Sequence, residues 1–267
     1  MEGQNLAIEF VWAENRFDGL ETLAAEVIAR RPSVIISNTL AAIRAKSSTM
    51  AIPIVFTTGS DPVRDGLVTS LNRPGGNVTG VVFITGTVGG KRLELLRQLV
   101  PKAGTIAMLV NPGTSENDAE RAEVQAAAQA VGQQIRIVES RNTAEIETAV
   151  AAAVAAGAGA LLIGTGTFWF NNRVPIIESA ARHAIPAMYS LREYVEAGGL
   201  MSYGASISEA FHQAGLYTGR ILKGEKPGDL PVIQSIKFEL MINLKTAKTL
   251  GLEIPPTFLT LADELIE

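Results

Sequence analysis

Apolar and polar positions alternate along the chain in blocks that predict strands and helices in turn. SVIISN and IPIVF are short, nearly continuous apolar runs, which are typical of strands covered on both faces. Between them, and again from Thr105 to Ser190, apolar residues recur at helical spacing. This alternation predicts an α/β fold with two parallel-sheet, three-layer lobes. The opening LAIEFVWAE is predicted as a strand, DPVRDGLVTSL and the terminal LTLADELIE as short helices.

Small polar residues follow most of the predicted strands. In parallel sheets, ligands bind beyond the carboxyl ends of the strands, so these loops are the candidate site. One loop, Thr57 to Asp61, lies between a buried strand and a predicted helix start, where either Ser60 or Asp61 is expected to cap the helix. The other loops of this kind are Ser37-Asn38-Thr39, Asn111 to Ser115, Gly164 to Phe168 and Tyr189 to Glu193.

Composition narrows the function without identifying it. The 267 residues carry a net charge of -4 and contain no strongly basic run, which disfavours a nucleic-acid surface. The chain has no cysteine and only two histidines, which are far apart in sequence and match no metal-ligand spacing. No cofactor is predicted, because the single GxG at Gly164 lacks the third glycine of a dinucleotide fingerprint. There is no phosphate loop and no nucleophile elbow either.

Seven segments of the chain, taken in order, resemble one known family. They are residues 3–14, 52–63, 71–80, 91–101, 182–189, 198–204 and 219–231. Together they are similar to the ABC-transporter substrate-binding proteins related to tryptophan-type binding proteins. The resemblance extends from Gly3 to Glu267 and implies the type I periplasmic-binding-protein fold, in which two lobes are joined by a three-segment hinge. It places residues 1–83 and 206–226 in lobe 1, and residues 84–205 and 227–267 in lobe 2.

The resemblance also implies a function and its partners. The protein is expected to capture a small molecule between the lobes and to deliver it to an ABC permease. The expected ligand is an amino acid, with aromatic amino acids among the candidates. Such a role is periplasmic or extracytoplasmic. Members of the family carry an export signal and a first strand–helix unit ahead of the stretch at which Met1 begins here, and neither is present in this sequence. Their absence predicts an exposed edge in lobe 1, with lower stability or self-association through that edge.

Roles for individual residues follow from the same resemblance. Asn38, Thr39, Thr58, Gly59 and Ser60 are predicted to hold the ligand carboxylate, with Asp61 or Glu193 available for the ammonium group. The predicted aromatic contacts are Phe83, Phe168, Tyr189 and Tyr203. Asn111 and Thr165 are the remaining predicted contacts from the loops of lobe 2. For Phe168, packing against a neighbouring helix is an equally open interpretation.

Two alternatives use the same architecture. An enzyme is disfavoured, because no histidine, cysteine or carboxylate pair lies at the predicted strand ends in a recognisable arrangement. An effector-binding regulatory domain is disfavoured by the lack of a DNA-binding or basic segment before Asn5.

Overall fold

Strands and helices alternate along the chain, as the hydrophobic pattern predicts. The computed structural model describes residues 6–13, 19–83, 88–112, 115–235 and 237–267. The strands are β1 (Ile35–Asn38), β2 (Ile54–Thr58), β3 (Val78–Phe83), β4 (Thr105–Val110), β5 (Gln134–Glu139), β6 (Ala160–Ile163), β7 (Ala187–Tyr189), β8 (Met201–Ala205), β9 (Ile233–Ser235), β10 (Phe238–Asn243) and β11 (Glu264–Ile266). The helices are α1 (Leu20–Ala29), α2 (Thr39–Ser48), α3 (Gly89–Leu99), α4 (Ser115–Ala130), α5 (Glu145–Ala155), α6 (Thr167–Asn171), α7 (Arg173–Arg182), α8 (Arg192–Glu196), α9 (Ile207–Leu222), α10 (Leu244–Thr249) and α11 (Pro256–Leu259).

The chain divides into two compact units. The first comprises Met1–Phe83 and Ser208–Ser235, and the second comprises Ile84–Ile207 and Ile236–Glu267. The second segment of the first unit is Ser208–Ser235, where the prediction gave 206–226. The reason is β9, which pairs in parallel with β3 and so extends the sheet of the first unit.

The first unit is built on a four-stranded parallel sheet in the order β1-β2-β3-β9. Every residue of β2 is buried, as expected for a strand with both faces covered. Val55 and Val81 pack against Ala210, Ala214 and Tyr217 of α9, which forms one of the covering layers. Strand β1 lies at the edge of this sheet, and its Ile36 side chain is 46% exposed.

The second unit is built on a seven-stranded sheet in the order β11-β10-β8-β7-β6-β4-β5. All its neighbouring strands are parallel except β8 and β10, which are antiparallel, so the prediction of parallel sheets needs this one amendment. Alternate residues of β4 face two separate core clusters: Met108 lies in one, and Ala107 and Leu109 lie in the other. The parallel order places the carboxyl ends of β4, β6 and β7 at one edge of the sheet.

Three local predictions are wrong. Residues 62–66 form turns rather than a helix, and the turn ends at Gly66, whose φ of 72° is left-handed. The C-terminal LTLADELIE forms no continuous helix, because Glu264–Ile266 within it is strand β11 and pairs with β10. Residues 7–13 form no strand, since no sheet neighbour pairs with them and only Leu6 makes an isolated bridge.

Candidate functional site

The first unit brings together two of the predicted loops at one edge of its sheet. Strands β1 and β2 are parallel neighbours, so Asn38 and Thr58 end them side by side. Asn38 is the N-cap of α2, and its side-chain oxygen accepts a hydrogen bond of 3.3 Å from the Ala41 N–H. Thr39 begins that helix, which leaves its half-buried hydroxyl at the strand edge.

A chain of side-chain hydrogen bonds connects these loops. The Thr39 hydroxyl lies 2.7 Å from the Thr58 hydroxyl, which lies 2.8 Å from the Ser60 hydroxyl. Ser60 donates in turn to the carboxylate of Asp65, and its N–H donates to the Thr58 oxygen over 3.1 Å. We call Thr39, Thr58, Ser60 and Asp65 the hydroxyl chain. Gly59 lies between its members and is half-buried.

The hydroxyl chain changes the predicted carboxylate-binding role of its members. A carboxylate accepts hydrogen bonds and cannot donate them, so a hydroxyl that binds one must donate its proton to it. Ser60 already donates its proton to Asp65. Asp61 is also occupied: its side chain accepts from the N–H groups of Val63 and Arg64 at 2.9 and 3.2 Å. Asp61 therefore caps the turn, and Asp65 provides the carboxylate of this loop.

The second unit contains a buried ionic network at the carboxyl ends of β4 and β6. Arg92 on α3 and Glu120 on α4 form an ion pair in which both side chains are 0% exposed. Glu120 also accepts two hydrogen bonds of 2.8 Å, one from the N–H and one from the hydroxyl of Thr165. Arg92 donates to the carbonyl of Ile163, the last residue of β6, over 2.9 Å. We call Arg92, Glu120 and Thr165 the ionic network.

The ionic network explains why Thr165 is buried. Burial lowers the pKa of Arg92 to about 10, because the charged guanidinium is removed from water. The guanidinium still carries its charge at neutral pH, and Glu120 balances it. The donor groups of Thr165 are therefore used inside the unit. Asn111 has a comparable internal role, since its amide donates to the Ser140 carbonyl over 2.8 Å and joins the ends of β4 and β5.

The aromatic residues after β6 and β7 differ in their surroundings. Trp169 and Tyr189 are 0% and 1% exposed and belong to a core cluster of the second unit. Tyr189 stacks on Tyr194 with ring centroids 4.9 Å apart, and burial raises the pKa of its hydroxyl far above the ordinary value. Phe168 is half-buried and meets the Trp169 ring edge-on at 4.9 Å. Core packing therefore accounts for Tyr189, whereas Phe168 keeps part of its ring accessible.

The three remaining predicted residues are half-buried. Phe83 ends β3 and packs against the core beneath α9. Tyr203 on β8 stacks on Phe238 at a centroid distance of 5.9 Å. Glu193 on α8 is the most unusual, because its Oε2 is buried and has no hydrogen-bond partner among the described residues. Burial raises the pKa of this carboxyl, so the site disfavours its charge unless a cation or donor is supplied.

Sequence reasoning missed Asp65, Arg92 and Glu120. Arg92 occupies the same buried face of α3 as Leu93 and Leu96, and a charged residue in such an apolar position is a detectable signal of a buried partner. The identity of that partner is not detectable in the same way, because Glu120 comes from another helix. Asp65 was hidden by the incorrect helix prediction for its segment.

Metal and membrane sites find no support in the described residues. No group of three or more histidine, cysteine, aspartate or glutamate side chains is placed to hold a metal ion there. His183 lies at the C-cap of α7, 2.9 Å from Glu147. In the part of the chain that the structure covers, no helix combines the length and apolar character needed to cross a bilayer.

Two solved structures and one named protein are similar to this chain. A solved conserved domain protein from Vibrio cholerae superposes with a TM-score of 0.83 at 26% identity, covering 99% of this chain and 88% of its own. An ABC domain in complex with L-Trp from Streptococcus pneumoniae gives a TM-score of 0.81 at 26% identity, covering 98% and 90%. The tyrosine-binding protein of Clostridioides difficile (strain R20291) is 29% identical over 255 residues, which are 94% of this chain and 72% of that protein.

A family model confirms the resemblance seen in the sequence. The model, described as ABC transporter substrate binding protein, matches residues 1–266. The α/β fold with parallel sheets agrees with it, and two of the named relatives are described by the amino acid they bind, tyrosine in one case and L-Trp in the other. The chain belongs to the ABC transporter substrate-binding protein family, whose members bind solutes and are not enzymes.

Proposed function

We propose that this protein captures a free amino acid, with an aromatic side chain, outside the cytoplasmic membrane. Members of its family bind small molecules and work with ABC permeases. The observation that carries the amino-acid assignment is that two relatives matched over nearly the whole chain are described with tyrosine and with L-Trp.

The proposed ligand contacts are the predicted residues that keep accessible polar or aromatic groups. They are Asn38, Thr39, Gly59, Ser60, Phe83, Phe168, Glu193 and Tyr203. Thr58 supports this set from beneath, since it is 0% exposed and bonded to both Thr39 and Ser60. Asp61, Asn111, Thr165 and Tyr189 are proposed to shape the loops, because each is engaged within its own unit.

A thermal-shift screen of the purified chain against the amino acids, with D-allose as a sugar control, tests the ligand class. A ligand at about 100 times its Kd should add about 2.7 kcal/mol to the free energy of unfolding, which moves the melting temperature measurably. We expect tyrosine or tryptophan to give the largest shift. A shift with D-allose and none with any amino acid would contradict the proposal.

The double variant Thr58→Ala/Ser60→Ala then tests the first-unit loop. It should weaken amino-acid binding in calorimetry while the protein remains folded by circular dichroism. The matched control is Thr218→Val on α9, because that hydroxyl bonds only to the Ala214 carbonyl of its own helix. Unchanged affinity in the double variant would remove this loop from the site.

We also propose that the first unit associates through its exposed edge. An unpaired strand edge with apolar side chains is a template for pairing with another chain. Strand β1 is such an edge, and Ile36 is 46% exposed on it. Light scattering should therefore detect dimers or larger species that Ile36→Lys reduces. A wild-type monomer at all concentrations would contradict this proposal.

A further inference from the structure

The protons of the hydroxyl chain all point in one direction. Each hydroxyl has one proton to donate and two lone pairs that accept. Ser60 donates its proton to Asp65, so in the 2.8 Å contact with Thr58 it can only accept. Thr58 therefore donates to Ser60, and in its 2.7 Å contact with Thr39 it accepts. The order of donation is Thr39 to Thr58, Thr58 to Ser60 and Ser60 to Asp65.

This order leaves only acceptor capacity at the Thr39 end of the hydroxyl chain. The Thr58 oxygen is filled, because it also accepts from the Ser60 N–H at 3.1 Å. The half-buried Thr39 hydroxyl donates its hydrogen bond to Thr58, so only the lone pairs of its oxygen remain available. A group that binds at Thr39 must therefore bring a donor.

The charges around the hydroxyl chain favour a cationic donor. Asp65 supplies a negative charge at the other end of the hydroxyl chain. Arg64 lies beside it, with its Nε 3.7 Å from the second Asp65 oxygen, but the Arg64 side chain is 58% exposed. Lys46 is directed elsewhere, since its Nζ donates to the Gly66 carbonyl over 2.6 Å. The N-terminus of α2 favours an anion, and the neutral Asn38 side chain meets one of its N–H groups by accepting from Ala41. The charge of Asp65 acts in the opposite sense.

We infer that the hydroxyl chain binds the ammonium group of the ligand and not its carboxylate, with Thr39 as the contacting acceptor and Asp65 as the residue that orients it. This inference rests on the proposed function, because it assigns one half of an amino acid to one loop. It makes the first unit a determinant of specificity: a solute without a donor group leaves the Thr39 oxygen unpaired, which costs affinity.

Calorimetry with three related solutes tests the inference. The probes are L-tryptophan, tryptamine, which lacks the carboxylate, and indole-3-propionate, which lacks the ammonium group. Thr39→Val and Asp65→Asn should each weaken binding of L-tryptophan and tryptamine by about tenfold or more. Binding of indole-3-propionate should change by less than about twofold. The control Thr218→Val should leave the affinities for all three solutes unchanged.

Each other outcome overturns the inference. An equal loss for L-tryptophan and indole-3-propionate would mean that the hydroxyl chain only supports the loop. A loss confined to indole-3-propionate and L-tryptophan, with tryptamine unaffected, would place the carboxylate at Thr39. If Glu193→Gln shows the expected selectivity and Thr39→Val does not, Glu193 alone holds the ammonium group. If wild-type protein binds none of the probes and no other amino acid, the proposed function fails together with the inference.

Discussion

The two units place polar groups at the same edge of their sheets, but the groups are used differently. The ionic network of the second unit is sealed, since Arg92 and Glu120 are both 0% exposed and Thr165 is 2% exposed. The hydroxyl chain of the first unit is not sealed, since Thr39 and Asp65 at its two ends are both half-buried. Thr58 and Thr165 thus occupy comparable places at strand ends, yet only the first leads to a group with remaining hydrogen-bonding capacity.

This difference distinguishes polar groups that stabilise the fold from polar groups that can still bind a ligand. A buried ion pair loses its hydration, and its partners must compensate that loss within the fold. In the second unit both donor groups of Thr165, its N–H and its hydroxyl, bond to Glu120 for this purpose. In the first unit a single carboxylate orients three hydroxyls, and the last of them still has lone pairs for a ligand. Position at a strand end is therefore not sufficient to identify a binding residue.

The largest expected effect is from breaking the ionic network. Arg92→Ala or Glu120→Ala leaves an unpaired buried charge, and each should lower the free energy of unfolding by about 3–5 kcal/mol. Urea denaturation of the two variants measures this. The double variant Arg92→Leu/Glu120→Leu is the control, and it should be more stable than either single variant. Single variants within about 1 kcal/mol of wild type would show that the pair is not buried in solution.

A matched pair of threonine substitutions sharpens the comparison. Thr165→Val removes a hydrogen bond to a buried carboxylate and should destabilise the fold by about 1–3 kcal/mol. Thr39→Val removes a half-exposed hydroxyl and should cost about 1 kcal/mol or less. The free energies of unfolding from denaturant titrations decide the order. The reverse order would mean that the first-unit loop is the more structural of the two.

Glu193 gives a smaller, pH-dependent effect. Burial raises its pKa in the folded state, so its favourable contribution is complete below the ordinary pKa of 4.5 and is lost as the pH rises through the raised value. Glu193→Gln should therefore be more stable than wild type at neutral pH, and the difference should vanish in acid. Melting temperatures of the two proteins, measured from about pH 4 to about pH 8, test this difference. A variant less stable than wild type at neutral pH would contradict the assignment.

Glu147 should give the smallest effect, of opposite sign. Hydrogen bonds from Arg182 and His183 lower its pKa to about 2. Its contribution to stability is therefore present above the ordinary pKa of 4.5 and is lost as the pH falls toward 2. Because the group is exposed, Glu147→Gln should lower the melting temperature only slightly at neutral pH, and the two proteins should converge in acid. A constant difference down to low pH would contradict this.

Most of the loop positions at the site were predictable from the sequence, and most of their roles were not. Residues 37–39 and 57–61 lie at the ends of two apolar runs, and that local pattern was enough to place Asn38, Thr58 and Ser60 at a strand edge. The run around β2 is buried on both faces as predicted, but β1 is an edge strand, and only its Ile35 is buried. Asp61 and Asp65 are only four positions apart, and the prediction selected Asp61 for the ammonium group. In the structure the turn at 62–66 directs Asp65 to Ser60, while Asp61 caps the backbone, so the choice between the two carboxylates stays a prediction for the binding experiments.

The sequence by itself determined the α/β alternation, the polar strand ends and, through seven ordered segments, the family. These are properties of local periodicity and of residue order. The tertiary structure alone decided that Tyr189 is core, that Thr165 is bound to Glu120 and that β9 extends the first sheet. It also set the direction of the hydroxyl chain. Each of these depends on which distant side chain or strand arrives alongside, and no local pattern contains that information.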